Sequence, residues 1–243
     1  MATYDLYLES GPKHKTTMCH VLTDAMLGCN TNGPTTEEAV ASAPDGIRLF
    51  LRFLRKHGEN VDPDGDVKVR VAVHEDRGDS WYGRGSPYLA FGPDLEPVSA
   101  RDCEIFAGRL HWMREDLVAW LGRLSEGELT AEPRPRGRTP MAIALHILQG
   151  PGAYLSPALD GTKGYSRIVT LVERGQLPIT EGLMEVAHKA AADLARATPE
   201  QRSRVLERPS GERRTLRKSI RRMLEHDWEH LSELARREGG PAW

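Results

Sequence analysis

The chain has 243 residues, 39% of them hydrophobic and 28% charged, with a formal net charge of -2. Those are the fractions of a soluble globular protein, and the near-neutral balance gives no general attraction for nucleic acid or an anionic membrane. No run approaches the roughly 20 apolar residues of a transmembrane helix, and the opening MATYDLYLES lacks the basic and apolar regions of a secretory signal. A cytoplasmic protein of one large or two small domains is expected.

Tyr4, Leu6 and Leu8 alternate with polar neighbours, the two-residue period of a half-buried strand. Thr16 to Leu22 form a second β-like run after a Gly11-Pro12 turn signal. Gly28 to Pro34 is a glycine-punctuated loop or short strand. Thr35 and Glu38 have capping-box spacing ahead of a helical stripe, Ala39, Ala43, Ile47, Phe50, Leu51 and Leu54, which ends at His57-Gly58. Pro44 within that stripe predicts a kink or break. Val67, Val69, Val71 and Val73 then alternate with Lys68 and Arg70 as one more strand. The sum is an α+β module over residues 1–75. Residues 76–100 are rich in glycine and proline and read as a linker, with room for a short strand between Tyr82 and Phe91.

Beyond the linker the period becomes helical. Phe106, Leu110, Met113, Leu117, Trp120 and Leu124 make a strict three–four stripe, followed by a polar, proline-bearing loop from Ser125 to Arg138. Thr139 and Pro140 are an N-cap and first-turn proline for a second helix through Met141, Ile143, Leu145, His146 and Leu148. Thr180 opens a third, with Leu183, Ala187, Ala190 and Leu194. Thr215 opens a fourth, with Leu216, Ile220, Met223, Leu224, Leu231 and Leu234, stopped by Gly239-Gly240. An all-α, up-and-down four-helix bundle over residues 101–243 is expected.

The histidines are the most informative side chains. His226 and His230 are four apart on the fourth helix, so both rings leave one face a turn apart, the geometry by which two helical histidines chelate one ion. The same pair, in Glu225-His226-Asp227-Trp228-Glu229-His230, also reads as a solvated, salt-bridged face. His146 sits in the apolar run of the second helix and reads equally as a core histidine. Glu225, Asp227 and Glu229 read as solvent-facing charges, near enough in sequence to accept hydrogen bonds from ligand rings. His188 on the third helix is a candidate extra ligand, read rather as a surface or core histidine. Cys19, Cys29 and Cys103 are odd in number and lack a C-x-x-C pair, so they read as small, semi-buried hydrophobes rather than disulfides or zinc thiolates.

Leu110 to Leu124, Thr139 to His146 and Met223 to Leu231 together resemble the DinB/YfiT-like family of four-helix bundles. The resemblance implies that His146, His226 and His230 bind one divalent transition metal, Zn, Ni, Fe or Co. It also implies a small-molecule substrate, with transfer or isomerisation assisted by a low-molecular-weight thiol cosubstrate in some relatives. Gly150-Pro151-Gly152 departs from the unbroken second helix of that family. Three histidines leave coordination positions open, as catalytic sites do. The expected function is therefore divalent-metal-dependent chemistry on a small molecule, thiol S-transfer or hydrolysis, with no nucleophile or general base identifiable.

Residues 4–73 are similar to the HicB-like antitoxin fold, through Gly28-Cys29-Asn30-Thr31-Asn32-Gly33-Pro34-Thr35-Thr36-Glu37-Glu38-Ala39. Pro44 departs from that pattern. In that family the module binds a partner toxin. Here it is expected to serve oligomerisation, giving a homo-oligomer, or to cover a pocket. A non-enzymatic regulatory protein that recruits a partner through this module is the alternative function. Arg202 to Arg222 is a basic stretch without aromatic interleaving, read as a solvated face or a counter-charge for an anionic substrate rather than a nucleic-acid site.

Overall fold

A computed structural model describes residues 2–76, 83–86, 89–133, 137–209 and 211–243. The chain divides into two compact units. The first holds residues up to Leu95 with Glu207–Arg213 and Trp243; the second holds Glu96–Leu206 and Arg214–Ala242. No helix among the described residues is long and apolar enough to cross a membrane.

The first unit is a mixed sheet with one helix. Its strands are β1 (Ala2–Ser10), β2 (Thr17–His20), β3 (Asn30–Gly33) and β4 (Val67–Glu75), in the order β3-β2-β1-β4. Short connections make β1, β2 and β3 antiparallel neighbours, whereas β4 returns parallel to β1. A parallel return needs a crossover, and helix α1 (Thr36–Lys56) supplies it. The parallel register shifts between Leu6 and Tyr7, which pair with Val71 and Val73, so Ala72 is the extra residue of a bulge. Leu6 and Leu8 of β1 are fully buried, as are Ile47, Phe50 and Phe53 of α1.

Thr35 caps α1 by accepting from the Glu38 N–H at 3.2 Å. Gly33 precedes it where only glycine fits, because a Cβ would lie 2.5 Å from the Ala39 nitrogen. Of the kink or break expected at Pro44, the break does not occur: α1 runs through the proline. Val40, whose carbonyl loses its helical donor there, and Pro44 itself are only half-buried, so that oxygen is not sealed into a core. The strand considered between Tyr82 and Phe91 falls partly outside the described residues; 83–86 and 89–91 form none. Instead the buried Glu9 carboxylate accepts the Gly85 and Ser86 N–H groups, the latter at 2.9 Å, and Phe91 joins an apolar cluster with Leu22 and Leu89.

The second unit is helical. Its long helices are α2 (Ala100–Leu121), α4 (Pro140–Leu155), α6 (Ile179–Ala195) and α8 (Leu216–Ala235). Three short ones, α3 (Glu126–Thr130), α5 (Tyr165–Glu173) and α7 (Pro199–Ser203), join them. Two-residue strands β5 (Leu206–Glu207) and β6 (Arg213–Arg214), which the division of the chain splits, pair as a ribbon. Helices α2 and α4 each pack against α6 and α8, which brings their apolar stripes into one core. Leu110, Leu117, Ile143, Leu148, Leu183, Val186, Ile220 and Leu224 are all fully buried in it. The helix starts follow the cap chemistry. Ser99 and Asp102 form a reciprocal capping box, Thr139 accepts from Ala142 N, and Thr215 accepts from Lys218 N.

Candidate metal centre

Helix α8 carries His226 and His230 one turn apart, each only 8% exposed, and α4 presents the more accessible His146 to them. One ligand-capable nitrogen from each ring falls in a cluster whose members lie within 4.8 Å of one another. The Nε2 atoms of His146 and His226 are 2.9 Å apart, and the ring centroids are separated by 4.7, 4.9 and 5.0 Å. Three nitrogens on a tetrahedral ion at about 2.05 Å would sit about 3.3 Å from each other, so side-chain rotations that close the wider separations by up to about 1.5 Å would let the cluster hold one. Among the described residues this is the one group of three or more His, Cys, Asp or Glu side chains so placed.

Two of the rings are biased towards the neutral form. Burial, followed by the neighbouring His226 and His230, pushes His146 down to about 4. Burial likewise lowers His226, against a smaller upward pull from Asp227. Neutral imidazole is the form that offers a lone pair to a metal. The Nδ1 of His226 is buried without a hydrogen-bond partner; the nearest acidic oxygen, Asp227 Oδ1, is 3.7 Å away, beyond hydrogen-bond reach. His230 turns Nδ1 to Glu233 Oε2 at 3.4 Å, which leaves its Nε2 for the cluster. Glu233 is held down to about 2 by that contact and by Arg237, whose Nη2 is 2.6 Å away. Glu233 was missed in the sequence, where the i, i+3 spacing from His230 was the available signal.

Of the three acidic neighbours that looked solvent-facing, Glu229 is half-buried and the other two are buried. Glu225 and Asp227 are 0% and 1% exposed. They are buried because arginines neutralise them: Glu225 accepts from Arg221 at 2.9 Å and Arg222 at 2.6 Å, and Asp227 receives both Nε and Nη2 of Arg114. The basic stretch is corrected by the same fact. Arg217, Lys218, Arg221 and Arg222 are at most 5% exposed, so the α8 part of it is not a solvated face. His188 is exposed beside His111, ring centroids 5.2 Å apart, and takes no part in the cluster. The three cysteines are buried and form no disulfide, and burial pushes the thiols of Cys19 and Cys103 up to about 12 and about 11.

Gly150-Pro151-Gly152 does not break α4, and each of its residues has a packing reason. A Cβ on Gly150 would stand 3.1 Å from His226 Nδ1, so glycine lets that ring approach the helix. A Cβ on Gly152 would stand 2.8 Å from the Tyr165 Cβ. Pro151 leaves the Ile147 oxygen without its helical donor, and Arg114 Nη2 donates to it at 2.9 Å.

Comparison with known proteins informs the other unit. No family model matches the chain, and no solved structure does. A UPF0150 protein of Thermoplasma acidophilum is 34% identical over 47 residues, which cover 19% of this chain and 68% of that protein. Through its N-terminal module the chain belongs to the UPF0150 family. That match agrees with the HicB-like expectation for the same part of the sequence. The UPF0150 module has a polar cluster of its own at the end of β1. Ser10 Oγ lies 2.7 Å from both Thr17 Oγ1 and His74 Nε2, and Thr36 Oγ1 closes a triangle of hydroxyls at 2.9 and 3.1 Å. If the three hydroxyl protons serve the three edges of that triangle, the histidine ring N–H groups must be the donors to it. His14 Nδ1 lies 3.2 Å from Thr36 Oγ1, and its Nε2 meets Asp76 at 2.8 Å.

Proposed function

We propose that residues 101–243 are a DinB/YfiT-like four-helix bundle that holds one divalent transition metal, Zn, Ni, Fe or Co, on His146, His226 and His230. The activity proposed is chemistry on a small molecule, thiol S-transfer or hydrolysis. One observation carries the reading: three imidazole nitrogens from two helices, within 4.8 Å of one another. An ion held by three histidines keeps a position free and there lowers the pKa of a bound water or thiol. The chain's own contribution is orientation. Glu233 fixes the His230 ring, Gly150 admits His226, and the cores of α4 and α8 hold the third ligand opposite the pair. Elemental analysis of the purified chain and of His226→Ala tests it. About one ion per parental chain and a large loss in the variant are expected; sub-stoichiometric metal in both overturns the reading.

A second reading is favoured by the UPF0150 match. In it the N-terminal module recruits a partner and the helical unit is a scaffold. A metal-free chain that still forms a stoichiometric complex through residues 1–75 would support this reading over the first.

A further inference from the structure

We infer that Arg114, on a helix that supplies no ligand, positions His146 against His226; the inference rests on the metal reading above. Pro151 has no N–H, so the carbonyl of Ile147, four residues earlier, lacks its helical donor. Ile147 is 0% exposed, so no solvent replaces that donor. Arg114, itself 0% exposed, reaches from α2 and gives Nη2 to the Ile147 oxygen at 2.9 Å. The same guanidinium holds Asp227 on α8, Nε to Oδ2 and Nη2 to Oδ1 at 3.2 Å. Ile147 directly follows His146, and Asp227 directly follows His226. One planar group therefore grips the residue after each of two ligands.

The chemistry requires arginine in particular. Its donors are fixed in a rigid plane, so the spacing between the two grips is built into the side chain. A lysine would keep the charge opposite Asp227 but present a single flexible ammonium that cannot hold both partners in fixed geometry. The proline and the arginine are thus one device. Pro151 opens an acceptor in the core, and Arg114 uses it to tie α4 to α8 at the level of the histidines.

The test compares the full-length parent with Arg114→Lys and with the charge-free double variant Arg114→Met/Asp227→Leu. The double variant leaves no lone buried charge and so guards against simple unfolding. Cobalt(II) is the probe, its dissociation constant read by chelator competition and its ligand field by visible absorption. Both variants are expected to keep the parental far-UV circular dichroism, to bind cobalt about 10–100-fold more weakly, and to show an altered visible band. A metal-independent readout accompanies these. In the metal-free parent the His146–His226 contact should give an exchange-protected imidazole N–H resonance, and Arg114→Lys should lose it. Parental cobalt affinity in Arg114→Lys, or survival of the protected resonance, overturns the inference. A parent that takes up no cobalt, but whose protected resonance depends on Arg114, overturns the metal reading and leaves the positioning role standing.

Discussion

Arg114 Nη2 lies 2.9 Å from the main-chain oxygen of Ile147, the carbonyl that Pro151 cannot serve. A proline inside a helix ordinarily costs about 3 kcal/mol relative to alanine, in part through that lost hydrogen bond. Here the bond is supplied from another helix, and the proline ring is buried.

Pro151→Ala is therefore expected to stabilise the protein by no more than about 1 kcal/mol, far below the ordinary gain of about 3. Urea denaturation measures it. A gain near the full value would mean that Arg114 contributes nothing to the Ile147 carbonyl.

Gly150→Ala separates helix stability from the site. The added methyl raises helix propensity by up to about 1 kcal/mol. It also stands 3.1 Å from His226 Nδ1, closer than most Cβ contacts, and must displace the ring or the helix. The metal-free variant should be as stable as the parent or slightly more so, while metal affinity falls about tenfold, within the range for residues that orient a ligand. Equal affinity by chelator competition would contradict the packing argument.

Metal removal should cost stability without unfolding the chain. At a free-ion concentration a hundred times the dissociation constant, binding adds about 2.7 kcal/mol, or about 5–10 °C in melting temperature for a domain of this size. Differential scanning calorimetry with EDTA, and after re-addition of zinc, measures the shift. His146→Ala should show little of it.

The thiols give the pH dependence. Burial raises Cys19 to about 12, above the unfolded value of about 8.5, so the folded chain resists forming a thiolate there. A raised folded pKa contributes stability that is intact below the unfolded pKa and is lost as pH rises towards the folded one. Stability should therefore decline from about pH 8.5 upward, and Cys19→Ala should flatten that decline. Urea midpoints at pH 7, 9 and 10 follow it. Parallel slopes for parent and variant would show that Cys19 is not responsible.

The strands, the long helices and the His226–His230 pair were legible because they rest on local pattern, whereas His146 joined that pair only through the family resemblance. Alternating Val67 to Val73 can only be a strand, and His226 and His230 share a face whatever surrounds them. Helices α3, α5 and α7 were not read. α3 and α7 are single turns held by capping boxes, and α5 is short and starts after a left-handed Gly164, so their stripes are too brief to register. The burial of Glu225, Asp227 and the α8 arginines was invisible for a different reason. A charged residue looks exposed in sequence until its counter-charge is known, and Asp227 finds its own 113 positions away, at Arg114. Gly150 and Pro151 looked like interruptions on the same account, since the groups that fill their gaps, His226 and Arg114, come from other helices.

The three histidines stand on helices whose apolar stripes are fully buried without them, so their frame is assembled by hydrophobic packing before any ion arrives. In that respect the site is a socket and not a rivet. An ion taken up there could exchange for another while the chain stays folded, unlike one in a small domain that collapses without its zinc. Occupancy would then follow supply and the intrinsic order of imidazole affinities, copper above zinc and nickel. The metal found in a purified sample would record the medium in which the cells were grown, and activity would have to be assayed on protein stripped and reloaded with each candidate in turn.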